Sequence, residues 1–190
     1  LKAGAADFSF IAQSPMIRLT VDEMERAALD YPIALFGADR QPYAIMSLDA
    51  QGNAFVVDGA FRPGAYIPAF VRRYPFVLAR DEASDTLVLC LDHGSDMLVT
   101  ADGDATTQGA LPLFADAEPA QLTNNALQFC EAYEAAVRRT QGFAALLDQY
   151  GLLVEREVRS TAGGSNNLLL AFAAIDLDKL DALPADDFQA

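Results

Sequence analysis

Two adjacent arginines, Arg72 and Arg73, stand between Pro68 and Pro75, with Tyr66 and Tyr74 close on either side. A guanidinium binds a carboxylate or phosphate through two parallel N–H donors, so the pair could clamp an anion. The competing reading is structural. Neighbours on a helix point about 100° apart, so one arginine would turn inward to a carboxylate such as Asp58 or Asp92 while the other faces solvent. A buried guanidinium must be paired wherever it sits. Tyr31, Tyr43, Tyr66 and Tyr74 crowd the same part of the chain. Such rings line a groove for a sugar or another small molecule, or fill a core and bond their hydroxyls locally.

His93 is the one histidine, beside Asp92 and before Gly94 at the predicted end of a strand. A histidine next to an aspartate could act as a general base. No nucleophile elbow accompanies it, since Gly94-Ser95 does not read G-x-S-x-G. One histidine cannot supply a two-histidine iron or zinc site. Asp102-Gly-Asp104 suggests a calcium loop, but Thr107 and Leu113 stand where that loop needs glycine and a carboxylate. Gly163-Gly164 lacks the dinucleotide spacing. No catalytic residue, metal or cofactor is expected. The ligand-binding candidates are Arg72, Arg73, Tyr66, Tyr74, Tyr31 and His93. Cys90 and Cys130 lie in apolar runs without CxxC or zinc spacing, and read as buried, reduced thiols.

The charge balance narrows the partners. The chain carries 27 Asp plus Glu against 13 Lys plus Arg, a net −14. Nucleic acid demands a basic face, and anionic membrane surfaces do the same, so neither is expected. The balance reads as a solvated acidic face; the sharper alternative is a cationic partner or a bound cation. No apolar run reaches the roughly 20 residues that span a bilayer, so no membrane insertion is expected. The longest run, Leu168 to Ile175, has strand length. No secretory signal opens the chain, which makes the cytoplasm the expected location. A chain of 190 residues suits one domain, with a possible subdivision near residues 98–119.

Local signals place these residues on elements. Thr20-Val-Asp-Glu23 is a capping box, and predicts a helix to about Asp30, stopped by Tyr31-Pro32. Ile33 to Phe36 and Tyr43 to Leu48 read as strands around the turn Gly37 to Arg40; Gln51 to Asn53 is a turn and Ala54 to Val57 a short strand. A short helix should run from about Pro68 to Arg73 and end before Pro75. Strands are predicted at Phe76 to Ala79 and Thr86 to Asp92, around the turn 81–85. Leu98 to Pro119 reads as irregular. Ala126, Phe129, Cys130, Tyr133 and Val137 recur at helical spacing from about Leu122 to Arg139; Gln141-Gly142 should kink that helix before a second one to Tyr150. Val154 to Val158 and Leu168 to Ala174 read as strands around the turn 160–165, and Asp176 can cap a last helix through Leu180. The fold class is α+β: an antiparallel meander packed by a long helix, with a smaller C-terminal α/β part.

The stretch Tyr66-Ile-Pro-Ala-Phe-Val-Arg-Arg-Tyr-Pro-Phe76 resembles the core motif of the bacterial SapC family. Tyr31-Pro-Ile33, Asn53-Ala-Phe-Val56, Gly59-Ala-Phe61, Leu113-Phe114, Gly151-Leu-Leu153 and Ile175 to Leu180 fit its pattern too. Phe61 departs from it, because SapC-like sequences often place tryptophan there and this chain has none. The chain starts at Leu1, and the resemblance implies a short further stretch upstream. The family is named for surface-layer association, so the resemblance implies a non-catalytic interaction or assembly protein, with a protein partner or self-association and the cell surface or envelope as an alternative location. SapC-like genes also lie near genes for outer-membrane receptors and flavin-dependent halogenase-like proteins. That implies the alternative of a soluble ligand-binding accessory in carbohydrate or nutrient uptake, taking a small anionic or sugar ligand beside a halogenase-like partner. An enzyme using His93 and Arg73 is a third class.

Overall fold

The computed structural model describes residues 1–2, 7–48, 52–81, 85–99, 109–161 and 166–184. Asp102-Gly-Asp104, Thr107, Gly163-Gly164 and most of the turns predicted at 81–85 and 160–165 lie outside them. In chain order the elements are β1 (Met16–Arg18), a 3-10 turn (Val21–Glu23) running into α1 (Met24–Ala27), β2 (Ile33–Phe36), β3 (Gln41–Ile45), β4 (Val56–Val57), β5 (Ala60–Phe61), α2 (Ala69–Arg72), β6 (Phe76–Asp81) and β7 (Thr86–Leu91). They continue as β8 (Phe114–Ala115), β9 (Glu118–Pro119), α3 (Gln121–Gln149), β10 (Leu153–Ser160), β11 (Asn167–Ile175) and α4 (Leu177–Asp181).

The α+β class holds, and the strand order refines it. Among the described residues the main sheet has five strands in the order β1-β3-β2-β11-β10, all antiparallel. The last two strands therefore extend the first sheet rather than form a part of their own. β6 and β7 leave the expected meander and make a separate two-stranded ribbon.

The turns follow from residue chemistry. Asp58 and Gly59 join β4 to β5 with φ of 50° and 74°, the left-handed pair that a two-residue hairpin requires. A Cβ on Gly59 would sit 2.7 Å from the Asp7 carboxylate, so a side chain there would push Asp7 aside as well as strain the backbone. Helix α1 is shorter than the capping box suggested, since a 3-10 turn takes its first residues.

Helix α3 is the spine of the molecule. Its 29 residues reach about 43 Å at 1.5 Å each. It passes Gly142 without a break, contrary to the expected kink. Thr140, Ala144 and Leu147 are buried on either side of that glycine, and their packing outweighs the roughly 1 kcal/mol that a helical glycine costs. Gly151 ends the helix at φ 62°. Its amide bonds to the Asp148 carbonyl at 3.0 Å, and that of Leu152 to Leu147 at 2.9 Å, the pairing that closes a helix on a left-handed glycine.

Two of the three hydrophobic clusters lie along α3. Cys130 near its start packs with Phe76 and Leu78 of β6. Leu147 near its end packs with Leu35, Leu152 and Ala173 of the main sheet. Between them Thr140 is buried. It accepts the Val21 amide at 2.8 Å and donates to the Ala136 carbonyl at 2.8 Å, which fixes the capping-box turn to the helix. The largest cluster gathers Ile17, Leu19, Tyr31, Ala44, Met46, Phe61 and Val71 under α1 and α2.

Candidate functional site

A buried carboxylate organises the region around the two arginines. Glu23 is 6% exposed. One of its oxygens accepts the Thr20 amide at 2.8 Å and the Thr20 hydroxyl at 3.1 Å, the reach that its capping box foretells. Its other oxygen accepts the Tyr66 hydroxyl at 2.9 Å and the Ala69 amide at 2.7 Å. Pro68 brings no N–H of its own, so the first amide that α2 can offer is that of Ala69. The carboxylate of one element thus closes the start of another.

Tyr66 is fixed through every polar atom it has. Its amide donates to Asp30 at 2.8 Å, and its carbonyl accepts the Tyr31 hydroxyl at 2.5 Å. Its hydroxyl donates to Glu23 and accepts from Arg72 Nη2 at 3.1 Å. The guanidinium groups of Arg72 and Arg26 lie 5.7 and 5.8 Å from its ring centre. Burial, then the hydrogen bond to Glu23, pushes the Tyr66 hydroxyl above its ordinary pKa. Burial, reinforced by the charge of Asp30, does the same at Tyr31.

The arginines lie against aromatic rings. Arg72 is exposed, donates from Nε to the Ile67 carbonyl at 2.9 Å, and stands 5.3 Å from the Phe129 ring centre. Arg73 is half-buried between the rings of Phe70, at 4.6 Å, and Tyr133, at 4.8 Å. Neither makes an ion pair among the described residues, so the expected staple to Asp58 or Asp92 is not formed. Asp58 is exposed in its tight turn, and Asp92 accepts the Gly94 amide at 2.9 Å. A ring face holds a guanidinium without the desolvation that a buried ion pair demands.

The remaining candidates lie elsewhere. Tyr74 stacks on Phe10 with ring centres 3.8 Å apart. Tyr43 meets Phe36 edge-on within the main sheet. His93 is exposed in the turn after β7, and the Asp92 carboxylate next to it serves Gly94. Among the described residues no group of three or more His, Cys, Asp or Glu is placed to hold a metal ion. No described helix is long and apolar enough to cross a membrane. Cys130 is buried as expected, and burial raises its thiol pKa, but Cys90 is only half-buried. It faces outward beside Val77 on the far side of the ribbon.

A second feature lies at the start of α3. There the β6–β7 ribbon and the β8–β9 hairpin enclose an apolar groove of about 350 Å³, lined by Phe76, Leu87, Val88, Phe114, Pro119 and Leu127 among others. Phe114 is 60% exposed and Leu87 47%. Asp116 and Glu118 stand exposed on the same hairpin.

Residues 2–190 match the family model SapC. The chain belongs to the SapC family. No curated protein and no solved structure gave a match. In this SapC chain the stretch Tyr66–Phe76 has a physical role, because it carries the tyrosine hydroxyl and the amide that converge on Glu23. Phe61, where SapC-like sequences often have tryptophan, is buried against Phe8 and Phe55. In this SapC chain that ring serves the core. The site residues missed in the sequence were Glu23, seen only as a cap, and the ring pair Phe129 and Tyr133, seen only as core. Their spacing of four on a helix, opposite two consecutive arginines, was the available signal.

Proposed function

We propose that this protein is a non-catalytic interaction protein, docking a protein partner in the groove between the β6–β7 ribbon, the β8–β9 hairpin and the start of α3. The observation that carries this reading is the exposure of Leu87, Val88 and Phe114 around one apolar groove on a strongly acidic chain. Single exposed apolar residues need no explanation, but a contiguous lined groove marks an interaction site.

Charge selects the occupant. Asp116, Glu118 and a net −14 favour a partner segment whose apolar residues are flanked by lysine or arginine. A second copy of the chain would set these carboxylates against their own kind. The surface-layer association behind the family name supports an assembly role. Free Cys90 and Cys130 suit the reducing cytoplasm as the place where it acts.

Native mass spectrometry of the protein purified from its own host will identify a co-purifying partner. The complex is then rebuilt from purified components and mapped by hydrogen exchange. The expected result is protection of residues 86–91 and 113–119, with complex formation abolished by Val88→Glu together with Phe114→Glu. A homodimer without a heterologous partner, or a complex indifferent to both substitutions, refutes the reading.

A further inference from the structure

We propose that Arg72 and Arg73 form a two-pronged site for a small molecule bearing two acidic groups, carboxylate or phosphate. The inference rests on observations separate from the apolar groove, so either reading can fail alone.

The geometry begins on α3. Phe129 and Tyr133 are four residues apart on that helix and so lie side by side on one face, with Cβ atoms about 6 Å apart. Arg72 sits over the first ring and Arg73 over the second. Two consecutive residues of α2 and its cap thus lay two guanidinium groups along one strip of surface. Ring contacts use none of a guanidinium's N–H donors for a carboxylate, and those donors grip carboxylate and phosphate oxygens in pairs.

Most of those donors are free of carboxylates. Arg26, Arg40, Arg80, Arg139 and Arg159 each pair with a carboxylate, whereas Arg72 and Arg73, like Arg18, Arg62, Arg138 and Arg156, pair with none among the described residues. Arg72 spends Nε on the Ile67 carbonyl and one donor of Nη2 on Tyr66, which leaves Nη1 and the second donor of Nη2. The Arg73 guanidinium makes no hydrogen bond among the described residues. Both side chains are nevertheless held in place, so a ligand meets donors whose ordering is largely complete before it arrives.

The neighbouring charges are mixed at close range. Burial raises the pKa of the Tyr133 hydroxyl, and the charges of Arg73 and Arg18 both oppose that rise, so a third arginine bears on the same place. Two acids face it as well, Glu23 and Glu134. Glu23 is already satisfied by four hydrogen bonds. At long range the net −14 repels anions, so binding should be moderate and without electrostatic steering. Two separate forks distinguish a doubly acidic ligand from a singly acidic one, which can engage only one of them.

Isothermal titration calorimetry at low ionic strength tests the proposal with inorganic pyrophosphate and glutarate as doubly acidic probes. Inorganic phosphate and acetate serve as single-group controls. At least one doubly acidic probe should bind with 1:1 stoichiometry, about tenfold or more tighter than its control, a gap of roughly 1.4 kcal/mol. Which probe binds tells phosphate from carboxylate chemistry. Arg72→Gln and Arg73→Gln should each weaken it about tenfold, and the Nε–Hε resonance of Arg73 in the wild-type protein should shift on addition. Arg138→Gln, an exposed arginine elsewhere on α3, should leave binding unchanged. Circular dichroism and urea midpoints confirm that the variants fold. Absence of binding to either probe, equal affinity for probe and control, or affinity that survives loss of both arginines overturns the proposal.

Discussion

The Glu23 carboxylate accepts the Tyr66 hydroxyl at 2.9 Å, and this bond joins the capping-box turn to the segment that carries both arginines. The same carboxylate holds the first amide of α2. Its removal should therefore loosen two elements together. Glu23→Ala strands two amides and two hydroxyls, each worth about 1–3 kcal/mol when left unmet. Water entering the gap will restore some of them. A net loss of about 3 kcal/mol in urea denaturation is expected, with Glu23→Gln intermediate. An alanine variant within 1 kcal/mol of wild type, roughly the range of an ordinary surface substitution, would show that Glu23 does not organise the site.

The two arginines should contribute little to stability. The sequence suggested that one of them would be buried against a carboxylate and costly to remove. Both instead rest on aromatic rings, Arg72 at the surface and Arg73 half-buried against the buried Tyr133, and such contacts are worth about 0.5–1 kcal/mol at exposed sites. Arg72→Ala and Arg73→Ala should each lower stability by about 1 kcal/mol or less. A loss near the 3–5 kcal/mol of a broken buried ion pair in either variant would point to a carboxylate partner that the geometry does not show.

Alkali should unfold the protein through its tyrosines. Tyr31, Tyr66 and Tyr133 all have pKa values raised by burial, so the folded state holds these protons more tightly than the unfolded chain. Their contribution is fully present below the unfolded tyrosine value of about 10 and is lost as pH rises past it. Tyrosinate absorbance and far-ultraviolet circular dichroism should change together, with these three rings ionising in the step that loses structure. Complete ionisation of all six tyrosines at unchanged ellipticity would contradict this.

The thiols should separate into two classes. Cys130 is 2% exposed, with its thiol pKa raised by burial, and the half-buried Cys90 lies on the outer face of the ribbon. A thiol reagent should modify Cys90 first and Cys130 only as fast as the native state opens. The single variants Cys90→Ser and Cys130→Ser assign the phases. Equal rates for the two would refute the placement.

Local chemistry was the legible part of this sequence. Thr20 with Glu23, Pro68 before α2, Gly37 to Arg40 between β2 and β3, and Asp176 before α4 each announced a boundary through hydrogen-bonding or backbone geometry that a few residues decide. The family motif drew attention to Tyr66, Arg72 and Arg73. What those residues touch was not legible, because Glu23, Phe129 and Tyr133 come from distant parts of the chain. Strand order failed for the same reason, since nothing local tells β2 to take β11 as its neighbour. The continuous helix through Gly142 was hidden because propensity sees the glycine and not the buried residues around it.

The junction between β2 and β11 rests on a single matched pair, Leu35 with Ala173, both buried. A ribosome makes Leu35 early and Ala173 close to the end. While a nascent chain is being extended, β1, β3 and β2 can assemble, but β2 must present a bare, apolar edge until the last strands emerge. Contacts between such distant residues form slowly, and an unpaired edge invites other chains in the meantime. Pulse-labelled hydrogen exchange should find the Leu35 region among the last to gain protection. Truncation before residue 167 should leave a product that aggregates instead of one that merely lacks a hairpin.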